Sequence, residues 1–151
     1  MRTLQVSLPW AVTAELAHQV AELINSRNQL TKQYTANRVL ESAGNYLCRA
    51  AEDSRLVAVV EVKRVQWYQC EIDHLSVRED CGGKGIGFQL IDDAESRAIQ
   101  LGARVAQCTI RVGNEPSERL FRKRGYVPGV TFFNARSGNQ VTVYQKTLVT
   151  N

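Results

Sequence analysis

The chain has 151 residues, which is enough to form one hydrophobic core without metal ions or disulfide bonds. Apolar residues make up 44% and charged residues 23%, a composition that argues against both a disordered chain and a membrane protein. The net charge of +4 suits a polyanionic partner and does not distinguish a phosphorylated cofactor from a nucleic acid. We expect one domain over residues 1–151, with no linker dividing it.

The first part of the chain predicts a strand, two helices and a hairpin. A short strand is predicted over residues 3–8, and apolar residues at helical spacing predict an amphipathic helix over residues 11–24. A second helix is predicted over residues 36–43. The period then changes to that of strands, and residues 46–51 and 56–65 predict a hairpin across a polar turn.

The second part of the chain alternates strands and helices. The predicted elements are a strand over residues 68–77, a helix over 85–101, a strand over 105–112, a basic helix over 116–124 and a final hairpin of 126–135 with 140–148. A strand meander followed by one strand–helix–strand crossover is typical of a mixed sheet. We therefore predict an α/β fold of the α+β type, with a mainly antiparallel central sheet of about seven strands and flanking helices.

The cysteines and the N-terminus bear on metal binding and location. The four cysteines and two histidines show no spacing typical of zinc ligands, so we expect no metal. Three cysteines lie in apolar runs and are predicted to be buried thiols, whereas Cys81, beside several glycines, is predicted to be exposed. The N-terminal residues do not resemble a secretory signal, and we expect a cytoplasmic location.

A glycine-rich turn follows the strand predicted over residues 68–77. Backbone N–H groups at the start of a helix, with glycines that allow close approach, favour a bound phosphate group. A Walker A loop would need a glycine at Arg78 and Ser or Thr at Gly85. A dinucleotide fingerprint would need a glycine at Phe88 and an acidic residue near Ala103. Spacing therefore disfavours both of these sites.

Two motifs resemble those of the GNAT N-acetyltransferase superfamily. In the first, the strand from Glu71 to Val77 leads into the glycines of residues 83–87. In the second, residues 114–126 read NEPSERLFRKRGY where that family usually has N-x-x-A-x-x-L-Y-x-x-x-G-F/Y. The resemblance covers residues 56–148. It implies a GNAT-like fold and transfer of an acetyl group from acetyl-CoA to a primary amine, without a metal.

The resemblance also implies which residues bind the cofactor. Backbone N–H groups of the turn would hold the pyrophosphate, and Asn114 would orient the cofactor. The end of the preceding strand would bind the pantetheine arm as it would bind an added strand. The implied cofactor-binding residues are Leu75, Ser76, Val77, Gly82, Gly83, Lys84, Gly85, Ile86, Gly87, Asn114 and Phe121.

Two residues depart from the family pattern. Gly82 stands where the family usually has arginine or glutamine, and the lost charge-assisted contact is worth about 1.5 to 3 kcal/mol. Lys84 and Arg78 are the candidates to compensate for it. Phe121 stands where the family often has a tyrosine that protonates the leaving thiolate. Phenylalanine has no such proton, so solvent would be the acid.

The resemblance places the general base on the strand before the turn. An amine with a pKa near 10.4 must lose a proton before it attacks a thioester. Glu71 occupies the usual position of the base, and Asp73 and His74 are the alternatives. Strand alternation puts Asp73 on the face of Glu71 and His74 on the other face unless a bulge intervenes.

The acceptor would lie between residues 26–37 and the final hairpin near Arg136. The cations Arg27, Lys32 and Arg38 in this region favour a peptide, a small polar amine or an RNA-linked amine over a polyamine.

Two other functions stay open from the sequence. Gly82 and Phe121 are compatible with a catalytically weak CoA-binding regulatory protein. The cluster Arg119, Arg122, Lys123 and Arg124 is compatible with a basic nucleic-acid-binding module, although a nucleic acid is not favoured. We expect no membrane partner, and a homodimer is compatible with the sequence.

Overall fold

The computed structural model of the chain describes residues 3–7, 13–28, 30 and 32–148. The strands are β1 (Thr3–Ser7), β2 (Tyr46–Ala51), β3 (Leu56–Gln66), β4 (Gln69–Val77), β5 (Val105–Arg111), β6 (Val127–Asn134) and β7 (Asn139–Thr147). The helices are α1 (Ala14–Arg27), α2 (Ala36–Glu41), α3 (Ile86–Gln100) and α4 (Glu115–Lys123), with short 3-10 turns at Ala43–Asn45 and Glu79–Cys81.

The strands form one seven-stranded sheet in the order β1-β2-β3-β4-β5-β7-β6. Only the pair β4 and β5 is parallel, and the other neighbours are antiparallel. This arrangement confirms the predicted mixed, mainly antiparallel sheet with flanking helices. The predicted elements agree with the observed ones to within a few residues, while residues 8, 11 and 12 of the predicted strand and first helix lie outside the described residues.

Helices cover the sheet on both faces because its central strands are apolar on both sides. On one face, Val20 and Ile24 of α1 and Val39 of α2 pack with Val59 of β3. On the other face, the apolar stripe of α3, including Leu90, packs with residues of β3, β4 and β5. The two cores leave the carboxyl ends of β4 and β5 as the place where the sheet opens.

The parallel pair is short, and this opens a wedge in the sheet. Only Gln69–Glu71 of β4 pair with Val105–Gln107 of β5. Beyond Glu71 the β5-facing edge of β4 has no strand partner among the described residues. A strand edge with unpaired N–H and C=O groups is a template for a further extended chain.

Cys81 is buried, with none of its surface exposed, so the prediction of an exposed thiol was wrong. The 3-10 turn Glu79–Cys81 directs this side chain below the glycine turn and into the core beside Ile86. The neighbouring glycines are exposed, and the sequence pattern did not show that the chain reverses at this residue.

Among the described residues, no helix combines the length and apolar character needed to cross a membrane.

Candidate functional site

The glycine turn has the backbone of an anion-binding site. Gly83 and Gly85 have φ angles of +75° and +77°, in the left-handed region that glycine adopts readily. The N–H of Gln89 donates to the C=O of Gly85 at 3.1 Å, and this is the first hydrogen bond of helix α3. The N–H groups of residues 86–88 precede it and have no acceptor within the helix. They can therefore donate to an anion at the positive end of the helix dipole.

Gly82 and Gly87 differ in why glycine is found there. A Cβ on Gly87 would lie 3.2 Å from Cδ2 of Leu120, so glycine lets α3 approach α4 closely. Gly82 has φ of −67° and ψ of 158°, and a Cβ there would have the carbonyl oxygen of Glu79 as its nearest neighbour, at 3.6 Å. Its backbone thus accepts any residue.

The two cations proposed to compensate for Gly82 are in different situations. The Arg78 Nε donates to Oδ1 of Asp80 at 3.0 Å, and a second bond joins the same two side chains. Lys84 is exposed on the turn and forms no ion pair within the described parts of the chain. Lys84 is therefore the cation free to meet an anion here.

A cavity of about 450 Å³, the glycine groove, runs from the end of β4 across the turn to α4. It brings together all the predicted cofactor-binding residues except Lys84 and Phe121. Its lining residues are Arg27, Leu75, Ser76, Val77, Cys81, Gly82, Gly83, Gly85, Ile86, Gly87, Phe88, Asn114, Pro116, Ser117 and Leu120.

Ser76 can offer only backbone groups to this groove. Its hydroxyl is buried and donates to the C=O of His74 at 2.8 Å. The Nδ2 of Asn28, at the end of α1, donates to the same hydroxyl oxygen at 2.8 Å. These bonds tie α1 to the irregular part of β4.

That irregularity is a β-bulge at His74. Val59 pairs with Ser76 and Glu61 with Asp73, so two residues of β4 face one residue of β3. His74 has φ of +52°, and its ring packs edge-on against Tyr34 at 5.1 Å between ring centroids. The bulge anticipated as an exception to alternation is present. It turns His74 to the face of the sheet that carries α1 and α2, and burial lowers the pKa of this imidazole.

A cluster of charged groups occupies the same face, and the sequence analysis missed several of its members. Glu61 is only 2% exposed and accepts a hydrogen bond of 3.1 Å from the Tyr34 hydroxyl. Lys63 Nζ lies 3.5 Å from Oε2 of Glu61 and 3.1 Å from Oδ2 of Asp73. Burial raises the pKa of Glu61, and it raises that of Tyr34 to about 12 with help from the Glu61 charge. The sequence signal that could have identified this cluster is the presence of the charged residues Glu61 and Lys63 within the mostly apolar strand β3.

Glu71 is the carboxyl suited to exchange a proton near neutral pH. Burial is the main cause that raises its pKa to about 7, and the adjacent Asp73 carboxylate adds to the shift. Lys63 opposes it only in part. A base works best when its pKa lies near the working pH. Asp73 is paired with Lys63, whereas Glu71 forms no ion pair within the part of the chain that the structure describes.

A second cavity, which we call the cleft, has a volume of about 400 Å³ and adjoins the glycine groove. Both cavities are lined by Arg27, Leu75, Asn114 and Ser117, so they meet at these four residues. The further lining residues of the cleft are Asn28, Leu30, Ile72, His74, Cys108, Thr109, Ile110, Arg111, Phe121, Asn134, Ser137, Asn139 and Val141. The end of α1 and the final hairpin, the two regions where the sequence analysis expects the acceptor, each form part of its wall, and β4, β5 and α4 form the rest.

Of the three predicted base residues, His74 lines the cleft. Glu71 and Asp73 are chain neighbours of its lining residue Ile72 and are not themselves among the lining residues. Phe121 is buried against Tyr126 in an edge-to-face contact, with 5.1 Å between ring centroids. It forms part of the cleft wall and has no hydroxyl group to offer.

The basic cluster of α4 is divided among different contacts. Arg122 donates to the hydroxyl of Tyr144 at 3.3 Å, and Arg124 pairs with Asp92 at 3.2 Å while stacking on Phe88. Within the described ranges, no three side chains of His, Cys, Asp or Glu are grouped in a way that could hold a metal ion.

Comparison with known proteins gives a family and several structures of the same fold. Residues 13–126 match the model of a family described as "Acetyltransferase (GNAT) family". A chain of the NatC complex bound to Gag peptide and CoA superposes with a TM-score of 0.82 at 15% identity, covering 99% of this chain and 100% of that one. Ard1 from Thermoplasma volcanium superposes with a TM-score of 0.81 at 16% identity, covering 98% of this chain and 99% of that one.

A third structure is yncA from Salmonella typhimurium, a putative acetyltransferase with its cofactor acetyl-CoA. It gives a TM-score of 0.80 at 14% identity, covering 100% of this chain and 96% of that one. At these identities the three structures show a shared fold. No curated protein matches the sequence.

Proposed function

Because the chain belongs to the GNAT acetyltransferase family and is an acetyl-CoA-dependent N-acetyltransferase, we propose that an amine in the cleft attacks the acetyl thioester directly. The family match confirms the resemblance of the two motifs. The observation that carries the proposed reaction is that the glycine groove adjoins the cleft and that β4, which lines both, also carries Glu71, whose pKa is raised to about 7. The acceptor would be the primary amine of a peptide, a small molecule or an RNA.

The groove fits acetyl-CoA in two respects. The N–H groups of residues 83–87 would donate to the pyrophosphate, supported by the left-handed glycines and the start of α3. The unpaired edge of β4 at residues 75–77 would bind the amide groups of the pantetheine arm, and Asn114 would orient the arm from α4. Acetyl-CoA, when bound, supplies an acetyl group activated as a thioester.

Glu71 would take the proton that the acceptor must lose, directly or through an ordered water. An amine with a pKa near 10.4 is mostly protonated at pH 7, so a base is needed. The three carboxyl groups of Glu61, Glu71 and Asp73 share one cation, Lys63. Lys63 pairs with Glu61 and Asp73, which leaves Glu71 as the member of the cluster without an ion-pair partner among the described residues. His74 is the alternative base at the cleft wall.

The remaining steps of the proposed reaction need no covalent intermediate with the enzyme. As the N–C bond forms, backbone N–H groups of β4 would stabilise the charge that develops on the carbonyl oxygen. As the C–S bond breaks, the nitrogen would lose its second proton. Because Phe121 has no proton to donate, water would carry that proton to the departing sulfur, and CoA would leave as the thiol.

Release of CoA, measured with a panel of primary amines, tests the proposed reaction. Glu71→Gln should lower kcat by about 100-fold or more while leaving the affinity for CoA within a factor of two. Glu15→Gln, at an exposed position of α1, is the matched control and should leave both unchanged. Undiminished turnover in Glu71→Gln would show that this carboxyl is not the base.

The same assay separates the alternatives. Tight CoA binding without transfer to any amine would favour a CoA-binding regulatory protein, which Gly82 and Phe121 motivate. Affinity for nucleic acid that falls steeply with salt and ignores CoA would favour a nucleic-acid-binding module. The family assignment gives no support to either.

We further propose that the protein forms a homodimer through β6. This strand is at the edge of the sheet, and Val127, Val130 and Phe133 are 66%, 63% and 58% exposed. An exposed edge strand can pair with the same strand of a second copy about a two-fold axis. Sedimentation at micromolar concentration tests this.

A cytoplasmic location is part of the same proposal. All four cysteines are buried and free, and reduced thiols are typical of a reducing compartment. Fractionation of cells that express the tagged protein would test this location.

A further inference from the structure

The cleft carries positive charge and, among its lining residues, no carboxylate. Its cations are Arg27 at the end of α1 and Arg111 at the end of β5. Neither guanidinium forms an ion pair or a side-chain hydrogen bond with any residue that the structure describes. The other polar groups of the cleft are neutral amides and hydroxyls, among them those of Asn134 and Ser137. An unpaired guanidinium in a cavity is a ready partner for a carboxylate or phosphate.

The opposite charge lies at the other end of the same face. Glu71 and Gln107 are partners at the last step of the parallel pairing between β4 and β5. Side chains alternate along a strand, so Arg111, four residues after Gln107, projects on the same face. Along β5, the backbone of Arg111 is about 13 Å from that of Gln107, the partner of Glu71, at about 3.3 Å per residue. A small acceptor and the long arginine side chain together can fill this span.

The two cations have different neighbours. Arg27 also lines the glycine groove, where it would lie near the cofactor. Arg111 lines the cleft and is not part of the glycine groove. Arg111 is therefore the cation available to the acceptor alone.

We propose that the acceptor is a small primary amine that also carries a carboxylate or phosphate, as an amino acid does. Arg111 binds this anionic group, and the amine faces Glu71. The inference rests on the proposed function and specifies its acceptor. A cavity of about 400 Å³ has the size of a small-molecule site. Two guanidinium groups and the lack of a lining carboxylate disfavour a polyamine, whose further cations would find no partner there.

Matched pairs of acceptors test the inference by steady-state kinetics. Suitable pairs are glycine with glycinamide, alanine with alaninamide, and O-phosphoethanolamine with ethanolamine. We expect kcat/KM of the anionic member to exceed that of its neutral partner by at least about tenfold in one or more pairs.

Substitution of Arg111 tests its part in this preference. Arg111→Gln should raise KM for the anionic acceptor by about tenfold or more, with kcat changed less than about threefold. It should leave the neutral partner unaffected, and Arg111→Lys should restore part of the lost affinity. Arg104→Gln, at an exposed position before the other end of β5, is the control and should change neither acceptor.

Titration of each acceptor pair into the protein saturated with CoA distinguishes the two proposals. Arg111-dependent binding of the anionic amine without any acetyl transfer would overturn the proposed reaction and support the acceptor assignment. Acetyl transfer without preference for the anionic member, or a preference that survives in Arg111→Gln, would overturn the acceptor assignment.

Discussion

Gly82 is a residue where the chain departs from its family although the backbone conformation at that position does not require glycine. With φ of −67° and the nearest atom to an added Cβ, the carbonyl oxygen of Glu79, at an ordinary contact distance of 3.6 Å, the position accepts a larger side chain. Gly82→Arg would add a guanidinium beside the glycine groove, where Lys84 is the free cation. We expect it to tighten CoA binding about tenfold, since a charge-assisted contact is worth about 1.5 to 3 kcal/mol.

Calorimetric titration with CoA, and with pantetheine, which has no phosphate group, measures this change in affinity. The gain should occur with CoA and be absent with pantetheine, because only CoA has the pyrophosphate. Gly82→Gln provides the neutral comparison. Equal affinities of the arginine variant and the natural protein for CoA would contradict the placement of the pyrophosphate at this turn.

The sequence predicted those members of the candidate site that belong to its two continuous motifs. Glu71, Asp73 and His74 share a strand, and the motif that carries them is continuous with the turn. Tyr34 and Glu61 are 27 residues apart, so their contact depends on how α1 and α2 cover the sheet. No local spacing predicts such a contact, and the charge of Glu61 is one of the causes that raise the pKa of Glu71.

At the scale of elements, the turn before α3 works because of two left-handed residues. Gly85→Ala should cost about 1 to 2 kcal/mol, because alanine at φ of +77° brings its Cβ close to the following carbonyl oxygen. The same change should weaken CoA binding, since it disturbs the N–H groups at the start of the helix. Urea unfolding and CoA titration measure both effects.

Gly82→Ala is the matched control, three residues earlier in the same turn. Its φ of −67° is open to alanine, so stability and CoA affinity should stay close to those of the natural protein. Equal losses in both variants would mean that general crowding, rather than backbone conformation, makes this turn sensitive.

The order and type of the elements could be predicted, and their pairing details could not. Hydrophobic period and turn residues located every strand and helix of the second half to within a few residues. The length of the parallel pairing is different, because three residues pair and the strands then diverge under the packing of helices on both faces. The same limit applies to Cys81, whose burial follows from a chain reversal.

At the scale of the whole molecule, the proposed catalytic carboxyl should lower stability at the pH where it is active. The ordinary pKa of glutamate is near 4.5, and in the folded protein that of Glu71 is raised to about 7. The folded state therefore favours the protonated form. The stability that Glu71 contributes is fully present below about pH 4.5, is lost as the pH rises through about 7, and changes little above that.

Glu71→Gln should remove this loss because glutamine does not titrate. Relative to the natural protein, we expect the variant to be more stable at pH 8 by about 1 to 2 kcal/mol, and the difference to shrink towards pH 5. Because the carboxyl of Glu71 is only partly buried, we expect a stability difference smaller than the one that the whole pKa shift would give. Buried Glu61 also has a raised pKa, but it is present in both proteins, so the difference isolates Glu71.

Urea unfolding of both proteins from pH 4.5 to 8 provides one curve, and kcat/KM of the natural enzyme over the same range provides another. Activity should rise through a midpoint near pH 7, where the base loses its proton, and the stability difference should grow up to the same point. A stability difference that is constant with pH would mean that Glu71 has its ordinary pKa in the folded state. The carboxyl would then be ionised throughout and too weak a base for the proposed proton transfer.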